Sequence, residues 1–235
     1  GLSRAGFSGI SFEVRSGEVL GIGGPLGCGK SDLLRTLFGL LPADSGTATL
    51  FGAPILGLAP KDLIGQGVSY LAPDRGREGL CLQQPISHNI SLACLDRLSR
   101  AAFVLRGAEH AAAVHQIEAL SIRTPGPDVE VGTLSGGNQQ KTMFGKWLLT
   151  EPKVLLMEEP TRGVDVGSKA DIYRIINTMT ADGVAVVLVS SDLPELVEMS
   201  NRVLVMREGA ITAALEGDAL TQEAVLSHAL RSTEQ

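Results

Sequence analysis

The chain has 235 residues, is 44% hydrophobic and 20% charged, and carries a net charge of −6. Those totals describe one ordinary globular domain with room for an inserted subdomain, and the acidic balance speaks against a general nucleic-acid binder. No apolar run approaches the roughly 18 residues a membrane span needs. The three cysteines (Cys28, Cys81 and Cys94) lack metal-ligand spacing and read as small buried side chains in a reducing compartment.

Taken in chain order, "ISFEV" (Ile10 to Val14) alternates and is followed by Ser16-Gly17, predicting a strand and a turn. "EVLGIGG" is a buried strand running into glycines. Helical periodicity from Lys30 to Leu41 places Leu33, Leu34, Leu37 and Leu40 on one side, with Pro42 as the stop. "TATLFG" and "GVSYLAP" read as strands. From about Asp74 to Leu134 alanine and leucine rise and helices such as Ala108 to Leu120 are expected. "VLLMEEP" is a buried strand, Ser168 to Ala181 a helix, and "VAVVLVSS" a further buried strand. Asp192, Pro194 and Glu195 then open a helix with capping-box spacing. "RVLVMREGAIT" is a hairpin about Glu208-Gly209, and Thr221 to Arg231 a last helix. Strands alternating with helices imply an α/β fold with a parallel sheet, and the alanine-rich middle is too long for one crossover.

Gly24-Pro25-Leu26-Gly27-Cys28-Gly29-Lys30-Ser31 satisfies the spacing G-x-x-x-x-G-K-[ST]. Glycines let the backbone wrap a phosphate with its N–H groups inward, and the following helix adds the positive end of its dipole. Lys30 is expected to neutralise β- and γ-phosphate charge and the Ser31 hydroxyl to ligate Mg²⁺; Asp32 follows directly in the nucleotide-binding set. Farther on, the strand "VLLMEE" ends in two carboxylates. Adjacent strand residues point opposite ways, so Glu158 is assigned to the metal shell and Glu159 to the attacking water.

"LSGGNQQK" (Leu134 to Lys141), together with "GPLGCGKS" and "EEPTRGVDVG" in that order, resembles the ATP-binding cassette (ABC) proteins over nearly the whole chain. In finer wording, "LSGGNQQK", "EPTRGVDVGSKADIY" and "VLVSSDLPE" are similar to the second cassette of double-cassette ATPases in monosaccharide importers of the ribose, galactose and xylose type. The resemblance implies a P-loop NTPase core with a parallel sheet, an antiparallel β edge subdomain and a helical subdomain inserted at roughly residues 75–141, all in one nucleotide-binding domain. It also implies a longer two-cassette polypeptide, of which this is a piece.

The same resemblance implies ATP and Mg²⁺ as cofactors. Ser135, Gly136, Gly137 and Gln139 would meet the γ-phosphate of ATP held by a second cassette, with a helix starting at about Asn138. Further partners would be a transmembrane permease and, indirectly, an external or periplasmic solute-binding protein, with no nucleic acid. The expected place is the cytoplasmic face of a bacterial inner membrane, as a peripheral subunit. Asp165 is expected to touch the opposite cassette.

Three positions depart from the family pattern. Ser191 stands where a histidine normally contacts the γ-phosphate, which weakens transition-state stabilisation. Pro73 and Asp74 replace a glutamine near the metal, leaving Asp74 as the substitute. The adenine-stacking aromatic falls at or before Gly1, and Phe7 reads as core. Lys30 and Ser31, often lost in second cassettes, are kept here. The expectation is therefore an ATPase with Lys30, Glu159 and Ser191 as catalytic residues, slow at its own site. The alternative is a catalytically weak half that completes its partner's site. A soluble DNA-repair or translation ATPase is disfavoured by the acidic charge and the lack of a long coiled-coil insertion.

Overall fold

The computed structural model describes residues 1–230. In chain order its elements are β1 (Leu2–Arg4), β2 (Phe7–Ile10), β3 (Val19–Gly23), α1 (Lys30–Leu37), β4 (Thr49–Leu50), β5 (Ala53–Pro54), α2 (Pro60–Gln66), β6 (Val68–Leu71) and α3 (Ile86–Ser91). There follow β7 (Ser99–Arg100), β8 (Phe103–Val104), α4 (Arg106–Ala119), α5 (Gly136–Leu148), β9 (Val154–Glu158), α6 (Val166–Ala181), β10 (Ala185–Val189), α7 (Leu193–Met199), β11 (Arg202–Arg207), β12 (Ala210–Glu216) and α8 (Gln222–Leu230). They fall into two compact units, one of residues 1–68, 153–159 and 179 onward, the other of residues 69–152 and 160–178.

The first unit is built on a sheet in which β12, β11, β3, β10 and β9 lie side by side. β10 is parallel to β3 and to β9, with Leu188 opposite both Gly21 and Met157, and β11 is parallel to β3. β12 closes the edge antiparallel to β11. Strands covered on both faces need continuous apolar runs, and Leu20, Ile22, Leu155, Met157, Val186, Leu188, Val203 and Val205 are buried accordingly. The small hairpins β1–β2 and β4–β5 supply the antiparallel part. This is the α/β architecture expected.

Two expected elements are shortened by several residues. "ISFEV" is not a strand beyond Ile10. A side chain takes one of its backbone groups instead: Arg202 donates to the Glu13 carbonyl, and just past the segment the Arg15 amide donates to Glu18 Oε2 at 2.7 Å. α1 ends at Leu37 rather than Leu41, because Gly39 adopts φ 72° and its amide returns to the Thr36 carbonyl, a left-handed stop. Leu40 is thereby exposed. The last helix is found over Gln222–Leu230; Arg231, at the end of its expected span, lies outside the described residues.

The second unit is helical, with α3, α4 and α5 packed on one another. Asn89, fully buried, pins the loop before α3 by accepting the Cys81 amide and donating to the Cys81, Gln84 and Pro85 carbonyls. Inside this stretch, expected to be mainly helical, sits the hairpin β7–β8, turned by Ala101 and Ala102 at φ 52° and 67°. Alanines there carry none of the Asn-Gly signal by which such a turn is read. His88 has an acidic neighbour: its Nε2 lies 3.8 Å from Glu109 Oε2, and Ser91 Oγ donates to the other oxygen of Glu109. Cys81 is exposed, whereas Cys28 and Cys94 are buried.

Lys146 is buried on α5, donating to the Gly79 carbonyl at 2.6 Å and lying 4.6 Å over the Trp147 ring. Burial lowers its pKa to about 8 from the ordinary 10.5, with a smaller opposing influence from Cys81. Between those values the unfolded chain binds more protons than the folded one, so stability attributable to Lys146 rises with pH through that window and its burial cost is fully present below it. Urea unfolding of wild type and Lys146→Met at pH 8 and pH 10.5 is expected to show wild type gaining on the variant by on the order of 3 kcal/mol.

Candidate nucleotide-binding site

In the first unit, β3 delivers the chain at Gly23 into a loop that α1 takes up at Lys30. Gly24 stands at φ 145°, and a Cβ there would lie 2.1 Å from the Met206 carbonyl oxygen and 2.9 Å from Cys28 Sγ. Gly27 and Gly29 also hold left-handed φ values. The Cys28 amide donates to the Pro25 carbonyl, and the Cys28 carbonyl accepts from Gly209, so the β11–β12 turn buttresses the loop from behind. Leu26, at the apex, is 100% exposed.

Lys30 is buried, and its Nζ donates to the Gly24 and Pro25 carbonyls at 3.0 and 3.1 Å. The ammonium is therefore held at the mouth of the loop. No side chain caps α1, whose N-cap is Gly29, so the first-turn amides there are left to a ligand. Asp32 faces outward to Arg4, 3.8 Å away. Phe7 is buried in the core, as expected.

The two carboxylates at the end of β9 diverge as alternation requires. Glu158 is buried, with Arg35 Nε 3.9 Å from its Oε2. Glu159 leaves the strand at φ 49°, a conformation uncommon for a residue with a side chain, while its amide still donates to the Val189 carbonyl at 2.8 Å. That turn brings its Oε2 to the Ser191 hydroxyl, which donates at 3.0 Å. Ser191 thus holds the carboxylate it follows in the parallel sheet.

Ser190, just before it, is a hydrogen-bond hub: its hydroxyl donates to Glu195 Oε2 and accepts the Asp192 amide. The expected capping box is closed through this serine. Asp192 caps Glu195 directly at 3.2 Å, but Glu195 reaches back by way of Ser190.

The other expected residues lie in the second unit. Ser135 is the N-cap of α5, which begins at Gly136, earlier than Asn138. Its hydroxyl does not cap the helix; Asn138 Nδ2 donates to it at 3.0 Å, leaving the first-turn amides and the hydroxyl proton for an anion. A Cβ on Gly136 would meet Arg75 Nη2 at 2.8 Å and the Gly163 carbonyl at 2.9 Å. A Cβ on Gly137 would meet Ser168 Oγ at 2.3 Å.

Gln139 turns away from that end: Nε2 donates to the Leu134 carbonyl, and Oε1 accepts from Arg75 Nε. Asp74 Oδ1 accepts the Gly76 and Arg77 amides, closing a turn of its own. Asp165 caps α6, accepting the Ser168 hydroxyl and amide, and those bonds hold its carboxyl below the usual range. Lys141, the last residue of "LSGGNQQK", is buried against the Ser121 carbonyl and Asp171. Burial alone would raise the Asp171 carboxyl, but hydrogen bonds from Lys141 and Arg174 lower it on balance.

The structure therefore gathers Gly24 to Asp32, Glu158, Glu159 and Ser191 in one unit, and Asp74, Ser135, Gly136, Gly137 and Gln139 in the other. Arg4, Arg35 and Arg75 were not anticipated, because each acts through an unlike neighbour distant in sequence; Ser190 was missed although its partners, Asp192 and Glu195, are local, because the capping-box spacing does not include it. Among the described residues no cluster of three or more His, Cys, Asp or Glu side chains is placed to hold a metal. A hydroxyl and a carboxylate, Ser31 and Glu158, are nonetheless the hard oxygen donors that Mg²⁺ takes alongside phosphate oxygens. A loop with no room for a side chain at Gly24 and a lysine held at its mouth fits a phosphate.

Residues 7–162 match the family model described as ABC transporter. The ribose import ATP-binding protein RbsA of Geobacillus kaustophilus is 41% identical over 220 residues, 94% of this chain and 44% of that protein. Ribose import ATP-binding protein RbsA 3 of Rhizobium etli is 45% identical over 223 residues, 95% of this chain and 44% of that protein. The chain thus spans less than half the length of these curated relatives. The crystal structure of the ADP conformation of an ATP-binding cassette of an ABC transporter superposes with a TM-score of 0.76 at 26% identity, covering 94% of this chain and 87% of that one.

The loop geometry makes a contrast available. Gly24→Ala drives a methyl into the Met206 carbonyl and is expected to lower affinity for a nucleoside triphosphate by at least about tenfold in calorimetry, with unchanged far-UV circular dichroism. Leu26→Ala, at a fully exposed side chain, is expected to bind within about twofold of wild type.

Proposed function

The chain belongs to the ABC transporter family, and from that premise we propose that it is the ATP-binding and hydrolysing cassette of an importer for a monosaccharide or related small polar solute. The relatives' names, ribose import ATP-binding proteins, support the solute class. The ADP-bound likeness supports an adenine nucleotide in the cradle. The carrying observation is an intact Lys30 at the loop mouth in the same unit as a glutamate, Glu159, aimed by Ser191.

In this reading the loop amides of Gly24 to Ser31 and the Lys30 ammonium bind the β- and γ-phosphates, while Asp32 keeps Arg4 beside the start of α1. Ser31 and Glu158 would hold Mg²⁺, which would supply positive charge to offset that developing on the phosphate. Glu159 has one oxygen held by Ser191 and the other free to accept a proton from water attacking the γ-phosphate in line. Ser191 offers a neutral hydroxyl and no cation, so this site lacks one source of transition-state stabilisation and turns over slowly.

The first turn of α5, with Ser135, Gly136 and Gly137, would clasp the γ-phosphate of ATP on a second cassette, face to face, in the same polypeptide. Asp74 and Gln139 support that face from within their own unit. Partners would include a permease and, through it, an external solute-binding protein. Among the described residues no helix is long and apolar enough to cross a membrane, consistent with a peripheral subunit on the cytoplasmic face. A second reading, a weak half whose only output is closure with its partner, is favoured by Ser191 alone and opposed by Glu159.

ATP turnover of the assembled transporter separates these assignments. Ser135→Arg is expected to abolish it, by about a hundredfold or more, by blocking the partner's site. Lys30→Ala is expected to leave a substantial fraction. Loss with Lys30→Ala and none with Ser135→Arg would reverse the two sites. Single-turnover hydrolysis confined to the partner's nucleotide would favour the weak half.

A further inference from the structure

A guanidinium lies against the start of α5. Arg75 opens a short π-turn, Arg75–Gly79, and divides its nitrogens among three acceptors. Nε donates to Gln139 Oε1 at 3.1 Å, Nη1 to the Arg162 carbonyl at 2.8 Å, and Nη2 to the Gly163 carbonyl at 3.2 Å. The guanidinium and the Gly163 carbonyl it holds together leave no room for a side chain at residue 136. Gly163 is less crowded, with Arg75 Nη1 3.3 Å from where its Cβ would stand, but its φ of 66° itself favours glycine. The turn that bears Arg75 is fixed at both ends, by Asp74 on the Gly76 and Arg77 amides and by Lys146 on the Gly79 carbonyl.

We infer that Arg75 is a positioning residue: it sets the loop Arg162 to Ser168 in register with Ser135 to Gly137, so that the α5 amides meet a partner cassette's nucleotide on a preformed surface. This rests on the reading of the α5 start as the clasp for that nucleotide. Two successive backbone carbonyls converging on one cation make charge-assisted bonds, stronger than neutral ones, and a planar fork is needed to reach both carbonyls and Gln139 together. A lysine has the charge but not the fork. Other ties are the Val164 amide on the Thr161 carbonyl, the Asp165 cap at the start of α6, and the close seating of Ser168 on Gly137. Arg75 is what joins the first half of that loop to Gln139 on α5. Fixing it beforehand removes an ordering cost that binding would otherwise carry.

The test uses the complete ATPase with its permease, carrying Arg75→Met or Arg75→Lys. Three readouts are taken: hydrogen exchange over residues 134–140 and 161–168, KM and kcat for ATP, and affinity of the Gly24 to Ser31 cradle for a fluorescent triphosphate. Arg75→Met is expected to speed exchange in both segments together by about tenfold or more and to raise KM by about tenfold, with a smaller fall in kcat. Cradle affinity stays within about twofold. Arg75→Lys is expected to fall between Arg75→Met and wild type, and it carries the test if Arg75→Met does not fold. Wild-type KM in a folded variant, or faster exchange in one segment without the other, overturns the inference. Ser135→Arg run alongside keeps the two claims apart: if it hydrolyses normally the clasp itself is wrong, and if it is inactive while Arg75→Met is normal, only the role of Arg75 is wrong.

Discussion

The parallel register of β3, β10 and β9 governs the first unit. Val189 pairs with Ile22 on one side and Glu158 on the other, so all three strands give out at the same level. Whatever follows them in sequence is delivered to one place: the glycine loop after β3, the carboxylates at the end of β9, the serines after β10. No long side chain has to reach. The hydrogen-bond ladder does the assembling, and continuous apolar runs buried on both faces hold the ladder in that register.

Much of this was legible in the sequence because it is periodic or local. Buried runs announced the central strands, and the spacing of glycines, Lys30 and Ser31 announced the loop. Alternation alone separated Glu158 from Glu159. What escaped was chosen by partners far away in the chain. "ISFEV" alternates like a strand, yet Arg202 takes the Glu13 carbonyl in place of a neighbouring strand. The β7–β8 hairpin turns on two alanines in a left-handed conformation that their side chains disfavour, so no turn signal was there to read.

The polar site residues divide in the same way. Ser135, Gly136 and Gly137 were found by motif, but what crowds the first glycine, the Arg75 guanidinium and the Gly163 carbonyl, is a tertiary fact. Gln139 and Asp74 read as ligand-facing in sequence; in the fold their side chains bond within their own unit, Gln139 to Arg75 and Asp74 to the turn amides. Asp165 likewise spends both oxygens on the cap of α6. A motif marks where chemistry gathers and does not by itself separate groups that touch the ligand from those that hold the ones that do.

The hub at Ser190 has a consequence for how such a cassette can change. Because Glu195, Asp192 and Ser190 lock the backbone between β10 and α7, residue 191 is presented from a rigid platform that owes nothing to its own side chain. On the proposed reading, sluggish and brisk versions of this engine differ by what is mounted on that platform. Lineages could exchange one for the other by a codon change or two, without rebuilding a loop, and asymmetry between paired cassettes would be easy to gain and easy to lose.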